Sequence, residues 1–233
     1  MLNVAVPYEV PTIHSERFNY PPSPRVSPAR HSLTPPGSTE IPRSRRGSAI
    51  AAEDEHCVTL ADPIEDAPPV IVFFSFLDDH SKKWAIEHQV AHNIRRNVPQ
   101  GTTVARYHAP MRFAWDFGET LTHAWAAAQS LQVDDRVIGP LFEAIHSKRV
   151  HDLEGVRVVF DEAGIDPSTF LKAWGQQTTL IEKERMDNAV SHLDLQTVPG
   201  ILVNGKHMVK LDTHEEFSID KAVELVRRLL KRE

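Results

Sequence analysis

The tetrad Asp78-Asp79-His80-Ser81 is a stretch of this sequence whose residue types and spacing could support chemistry. A carboxylate, an imidazole and a hydroxyl are the groups used in hydrolysis by an activated serine. Asp78 and His80, with His88 further along, could instead bind a metal ion. An acidic residue before a helix is also an ordinary N-cap. The sequence favours the cap, because no oxyanion hole is evident and no third metal ligand is placed, but all three interpretations stay open.

The tetrad lies between a predicted strand and a predicted helix. Residues 70–77 form a continuous apolar run after Pro68-Pro69, the pattern typical of a strand buried on both faces. Residues 102–108 have the β-branched character of a second strand. Between them, apolar residues recur at a spacing that predicts one helix, namely at Trp84, Ile86, Val90 and Ile94. Together these segments predict a β–α–β unit with a parallel strand pair.

The middle of the chain is predicted to be almost wholly helical. A proline in the first turn after Asp166 and a glycine after residue 163 are typical of a helix start and a helix end. The predicted helices cover residues 118–131, 140–146, 152–163, 167–174 and a long segment to about residue 193.

The C-terminal part predicts a second, smaller group of strands. Residues 200–203 and 207–210 are short apolar segments joined by Asn204-Gly205, a strong hairpin signal. An amphipathic helix is predicted over residues 219–231, and residues 56–60 could add an edge strand. The order of elements is therefore β–α–β, a helical block, then β–β–α.

Composition suggests a division of the chain into four parts. Residues 1–52 hold nine of the 17 prolines, with Ser, Thr and Arg between them, and are predicted to be a disordered arm. We expect residues 53–110 and 187–233 to form the two halves of one α/β domain, and residues 111–186 to form a helical domain inserted between them.

Charge and cysteine content exclude several classes of function. A net charge of −6 argues against a surface that binds duplex nucleic acid, and no apolar run is long enough to cross a bilayer. The single cysteine, Cys57, excludes an intramolecular disulfide and a dithiol redox cycle within one chain, and leaves an intermolecular disulfide open. No cofactor and no metal are expected. The first 30 residues lack the apolar region of a secretory signal, so cytoplasmic residence, export by a route other than Sec and incorporation into a larger assembly all stay open.

The element order and a series of short phrases resemble the DsbA family of bacterial periplasmic thiol oxidases. The resemblance covers about three-quarters of the chain and implies an α/β thioredoxin fold (βαβ…ββα) with an inserted helical domain. The matching phrases are Phe73-Phe74-Ser75-Phe76, Tyr107-His108, Leu121-Thr122-His123-Ala124-Trp125-Ala126, Pro140-Leu141-Phe142-Glu143, Ala163-Gly164-Ile165, Ala173-Trp174, Val198-Pro199 and Val203-Asn204-Gly205-Lys206.

The positions that carry the family's redox chemistry differ in this chain. The resemblance implies Cys-Pro-His-Cys where the tetrad stands, so Asp78 and Ser81 replace the two cysteines. Thiol–disulfide exchange needs a thiolate, which neither residue can supply. The family's buried glutamate corresponds to Val72, and a nearby lysine of the family corresponds to Arg106. No catalytic residue is therefore expected at Asp78, Asp79, His80 or Ser81.

The resemblance also implies a peptide-binding surface that has survived. In this fold the peptide bond of Val198-Pro199 is cis, and its backbone pairs with an extended polypeptide. We therefore expect His80, Val198 and Pro199 to contact a polypeptide partner of unknown identity. The favoured function is a redox-inactive DsbA-like protein that acts as a chaperone-like, scaffold or assembly component. The alternative is a DsbA-family enzyme with residual isomerase-like activity or a repurposed hydrolytic or metal-dependent site.

Overall fold

The computed structural model describes residues 56–110, 115–211 and 218–232. The predicted arm, residues 1–52, lies outside this part of the chain. The strands are β1 Cys57–Thr59, β2 Val70–Phe74, β3 Val104–His108, β4 Gly200–Val203 and β5 His207–Lys210. The helices are α1 Asp79–Lys82, α2 Val90–Asn97, α3 Trp115–Ser130, α4 Asp134–His146, α5 Leu153–Glu162, α6 Pro167–Trp174, α7 Gln177–His192 and α8 Ile219–Leu229.

The five strands form one mixed sheet in the order β1-β5-β4-β2-β3. β2 and β3 are parallel, as predicted for the β–α–β unit, whereas β4 runs antiparallel to β2 and β5 antiparallel to β4. This is the βαβ…ββα plan of a thioredoxin fold, with α3–α7 inserted between the two halves. The proposed division at residues 110 and 186 stays a prediction, and α7 spans the second of these positions.

β2 lies inside the sheet between β4 and β3, and all five of its residues are buried. Its two faces contact different cores because successive side chains point to opposite sides. Ile71 and Phe73 belong to the core shared with the helical block, whereas Val70 and Val72 belong to the core shared with α2 and α8. The strand that precedes the tetrad is therefore packed on both faces.

The hairpin between β4 and β5 forms at Asn204-Gly205, as predicted. Both residues have positive φ angles, 50° and 62°, which is the backbone of a type I′ turn. A Cβ atom on Gly205 would lie 2.2 Å from the carbonyl oxygen of Ile64, so no larger residue fits there.

The prediction of one continuous helix after the tetrad is wrong. α1 is only four residues long, a π-helical turn follows over Lys83–Glu87, and α2 begins after Gln89, whose φ is 46°. This break changes the side-chain phase within the segment that contains Trp84, Ile86, Val90 and Ile94, so these residues do not lie on one continuous helix. Trp84 and His88 still contact each other, with ring centroids 5.1 Å apart.

The helix start predicted at residue 140 is also wrong, because α4 runs from Asp134 to His146 with Pro140 inside it. A proline removes one helical hydrogen bond. Burial of Val137, Leu141 and Phe142 on one face of α4 stabilises the helix on both sides of that position. Among the described helices, none is long and apolar enough to cross a membrane.

Candidate functional site

Three residues separate the end of β2 at Phe74 from the tetrad, and Asp78 is the N-cap of α1. Its backbone is extended (φ −118°, ψ 124°), and its Oδ2 accepts a hydrogen bond of 2.6 Å from the backbone N–H of Ser81. The predicted cap is therefore confirmed. One carboxylate oxygen is engaged in holding the first turn of the helix, and its negative charge lies at the positive end of the helix dipole.

Ser81 is fully buried, and its hydroxyl is part of the turn. Ser81 Oγ accepts a 3.1 Å hydrogen bond from the backbone N–H of Ser75. His80 points elsewhere: its side chain is 55% exposed, and its Nδ1 lies 3.9 Å from Asp78 Oδ1. The three side chains thus do not form the nucleophile–base–acid relay that the hydrolytic interpretation requires.

The metal-binding interpretation finds no support in the described part of the chain. No three residues among His, Cys, Asp and Glu are grouped there in a way that could hold a metal ion. Asp78 and His80 both lie at α1, and the π-helical turn separates them from His88.

Two contacts join α1 to the end of α4. Lys82 Nζ lies 2.8 Å from Glu143 Oε1, and the hydrogen bond from Lys82 lowers the pKa of the Glu143 carboxyl. His146 Nδ1 lies 2.9 Å from Asp79 Oδ1, and His146 Nε2 lies 2.9 Å from the carbonyl oxygen of Phe76. The residue pairs are more than 60 positions apart, and neither His146 nor Glu143 carries a local sequence signal for these contacts.

A cavity of about 320 Å³ lies behind the tetrad. Val72 and Arg106 are register partners on β2 and β3, and both line it. The guanidinium of Arg106 is paired with the carboxylates of Asp134 and Asp135, and it packs over the Trp125 ring at 5.1 Å. Val72, which stands where the resemblance implies a buried acid, therefore gives the cavity an apolar wall next to the buried Arg106.

Val198-Pro199 follows α7 and leads directly into β4. Its peptide bond is cis. Pro199 and Ser81 line the same cavity, so the structure brings the tetrad and the predicted peptide-binding dipeptide together, while His80 is not among the lining residues. Among hydrogen bonds between residues that the structure describes, none involves the backbone N–H or C=O of Val198.

A buried histidine lies behind the turn on the helical side. His108 ends β3, and its ring stacks on Phe76 with centroids 5.2 Å apart. Its Nδ1 is 2.9 Å from Thr122 Oγ1, which itself donates to the Gly118 carbonyl oxygen. Thr122 must then accept, so the His108 ring donates from Nδ1. Complete burial lowers the pKa of His108 to about 3, and the ring is therefore neutral at pH 7.

The fold and the position of the tetrad define the class of protein. A strand–turn–helix junction facing a proline before the next strand, on a thioredoxin sheet with a helical insertion, is the architecture of a thiol:disulfide interchange protein. In this chain the junction has no sulfur, because Cys57 is the single cysteine and is buried in β1.

Comparison with known proteins identifies the family. The chain is 32% identical over 178 residues to the thiol:disulfide interchange protein DsbA of Salmonella typhimurium, covering 76% of this chain and 85% of the relative. DsbA of Escherichia coli strain K12 is 30% identical over 181 residues, covering 76% and 86% of the two chains. The chain therefore belongs to the DsbA family. No family model matches it.

Solved structures agree with this assignment. DsbA of Proteus mirabilis, as a cysteine-to-serine variant with the noncovalently bound peptide PWATCDS, has a TM-score of 0.69 and 28% identity, covering 75% of this chain and 95% of that chain. A second structure, the disulfide oxidoreductase DsbA of Proteus mirabilis, has the same TM-score and identity, covering 75% of this chain and 94% of that chain.

Proposed function

We propose that this DsbA-family chain binds an extended polypeptide segment at Val198-Pro199 without exchanging disulfides. The observation that supports the proposal is what Asp78 and Ser81 do at the two positions where the resemblance implies cysteines. Asp78 Oδ2 and Ser81 Oγ both accept backbone hydrogen bonds inside the turn. Their side chains hold the turn in shape, and neither has a sulfur atom that could form a mixed disulfide.

The remaining cysteine does not supply the missing chemistry. Cys57 lies in β1, where it pairs with Val209 of β5, and its side chain is buried. A catalytic thiol must be accessible and readily ionised, and a second thiol is needed to release a mixed disulfide within one chain. We therefore expect no catalysed disulfide exchange.

Polypeptide binding is supported by the backbone of Val198 and by a relative. An extended peptide that pairs with a strand-like segment needs an unoccupied N–H and C=O on that segment. Within the described residues, neither the backbone N–H nor the C=O of Val198 has a hydrogen-bond partner, and Val198 lies two residues before β4. The Proteus mirabilis DsbA variant binds PWATCDS noncovalently although a cysteine has been replaced by serine. By analogy, a scaffold without that thiol retains a surface for peptide.

The experiment that tests the proposal compares two labelled peptides by fluorescence anisotropy, PWATCDS and its serine counterpart PWATSDS. Both should bind with affinities within about threefold of each other, because no sulfur–sulfur bond contributes. A set of peptides that each carry one N-methylated amide should include one that binds at least about tenfold more weakly, since backbone pairing loses a hydrogen bond. The set leaves the protein unaltered, and the other N-methylated peptides serve as matched controls.

An insulin-reduction assay tests the second half of the proposal. The chain should not accelerate insulin reduction above the rate with dithiothreitol alone. Turnover comparable to that of a dithiol oxidase would contradict the redox-inactive function. Absence of peptide binding at millimolar concentration, or binding of only the cysteine peptide with an adduct that dithiothreitol removes, would contradict the binding function.

A further inference from the structure

We propose that the cavity behind the tetrad binds a small neutral aromatic molecule that carries a hydrogen-bond acceptor, such as a ketone or amide oxygen. This cavity is the space of about 320 Å³ lined in part by Val72, Trp84 and Arg106. The proposal does not depend on peptide binding, because its ligand occupies the interior of the domain and not the backbone of Val198.

The size and lining of the cavity fit a single aromatic ring. Small-molecule pockets have volumes of roughly 300–1,000 Å³ and mostly apolar walls with a few polar groups. A smaller apolar cavity of roughly 150 Å³ already binds benzene. The walls of this cavity include the apolar residues Val72, Trp84, Ile86, Val90 and Ile138. The exposed residues His92 and Arg95 also line it, so that side of the cavity reaches solvent.

A buried donor in the wall requires an acceptor. The side chain of Arg106 is only 9% exposed, and its Nη2 contacts Asp134 and Asp135. Its Nε has no hydrogen-bond partner among the described residues. A buried N–H of a charged group that lacks an acceptor is destabilising, and few such groups persist in folded proteins. An oxygen atom on the ligand would satisfy it.

The charges around the cavity favour a neutral ligand. Arg95 and Arg106 line it, and the carboxylates of Asp134 and Asp135 contact Arg106, so two positive and two negative charges are present. The guanidinium of Arg95 also donates to the Val104 carbonyl oxygen. An added anion would face two carboxylates, and an added cation would offer no acceptor to Arg106 Nε.

The same position explains why the cavity is present in this chain. Val72 stands where the resemblance implies a buried acid, and it is the register partner of Arg106. A carboxylate at this position would lie beside the arginine and could accept from it. The shorter, apolar valine leaves both space and a donor without a partner.

The test is a methyl NMR titration of the full chain with four single-ring probes. Acetophenone should shift the methyl signals of Val72, Ile86 and Ile138 and bind at least about tenfold more tightly than ethylbenzene, because it adds a hydrogen bond to a charged donor. Benzoate and benzylammonium should not saturate these signals. Equal binding of acetophenone and ethylbenzene, tightest binding of benzoate, or no methyl shift with any probe would overturn the proposal.

Two matched variants locate the interaction. Arg106→Met should reduce the preference for acetophenone over ethylbenzene to about onefold, whereas Arg96→Met should retain it, because Arg96 is exposed and does not line the cavity. An unchanged preference in Arg106→Met would overturn the assignment of the donor. If Arg106→Met does not fold, Ala85→Leu narrows the cavity and leaves the arginine in place. It should weaken acetophenone and ethylbenzene alike, and full binding of both would show that the ligand lies elsewhere.

Discussion

Ser81 Oγ accepts a hydrogen bond from the backbone N–H of Ser75 at 3.1 Å, across the turn that joins β2 to α1. Both residues are fully buried, so water cannot take over this bond. The resemblance implies a cysteine at position 81, and sulfur is a weaker acceptor than a hydroxyl oxygen. Ser81 therefore strengthens the turn, and it also removes the thiol that disulfide exchange would need at this position.

Ser81→Ala should lower the free energy of unfolding by about 1–3 kcal/mol, because it leaves the buried Ser75 N–H without its acceptor. Urea denaturation followed by circular dichroism measures the change. Ser147→Ala is the matched control: its hydroxyl also contacts a backbone group, the Ala144 carbonyl oxygen, but the residue is exposed. The control should change stability by less than about 0.5 kcal/mol. Equal effects of the two variants would show that the Ser75 bond contributes little.

The cap at Asp78 should be measurable in the same way. Asp78→Ala removes the acceptor for the Ser81 N–H, and we expect a loss of about 0.5–2 kcal/mol in the free energy of unfolding. Asp78→Asn keeps an oxygen acceptor and removes the charge, so it should lose less than half as much. If the asparagine variant were as unstable as the alanine variant, charge at the helix N-terminus and not the hydrogen bond would be the main contribution.

The features that could be predicted from sequence depend on local physics. The buried strand β2 follows from an unbroken apolar run, and the hairpin follows from the backbone preferences of Asn204-Gly205. The caps at Asp78 and Asp166 follow from a short acidic side chain that reaches an N–H three residues ahead. In each case the deciding contacts lie within a few residues of one another.

The features that could not be predicted depend on contacts between distant segments. The end of α1 and the left-handed backbone of Gln89 interrupt a sequence whose apolar spacing fits one helix. Pro140 stays inside α4 because neighbouring residues are buried against other elements. The contact of Asp79 with His146 joins residues 67 positions apart. The cavity likewise depends on β3 and α4 meeting behind the tetrad, which no local pattern indicates.

Burial of His108 predicts a pH dependence of stability. Its pKa is lowered to about 3 by desolvation, whereas an unfolded histidine has a pKa near its ordinary 6.5. Between these values the unfolded chain binds a proton that the folded chain does not. This stabilising contribution is complete above pH 6.5 and is lost progressively as the pH falls toward 3, because in this range the unfolded chain binds one more proton than the folded chain.

The measurement is urea denaturation at several pH values between 7 and 4. His108→Phe keeps an aromatic ring beside Phe76 and removes the titrating group, so its free energy of unfolding should fall less steeply with pH than that of the unaltered chain. His92→Phe on the exposed face of α2 is the control and should retain the original slope. Parallel curves for His108→Phe and the unaltered chain would mean that the pKa of His108 does not differ between the folded and the unfolded chain.

Restoring the cysteines tests whether the scaffold still supports exchange. In Asp78→Cys/Ser81→Cys the first thiol would lie at the N-terminus of α1, where the helix dipole favours a thiolate, and the second would lie beside the Ser75 N–H. The variant should be less stable than the unaltered chain because it loses the Asp78 cap. The two substitutions are made in a Cys57→Ser background, so that Cys57 cannot form a disulfide with either new cysteine.

We expect Asp78→Cys/Ser81→Cys to accelerate insulin reduction above the background rate, and each single variant to remain at background, because exchange requires an attacking and a resolving thiol. Activity should stay partial, since Val72 offers no carboxylate to move protons at the buried site. Adding Val72→Glu places an acid beside Arg106, its register partner, and should raise the rate further. Val70→Glu on the same face of β2 is a control that should not raise it. If the double variant stays at background while folded, the surface around the tetrad has diverged along with the cysteines.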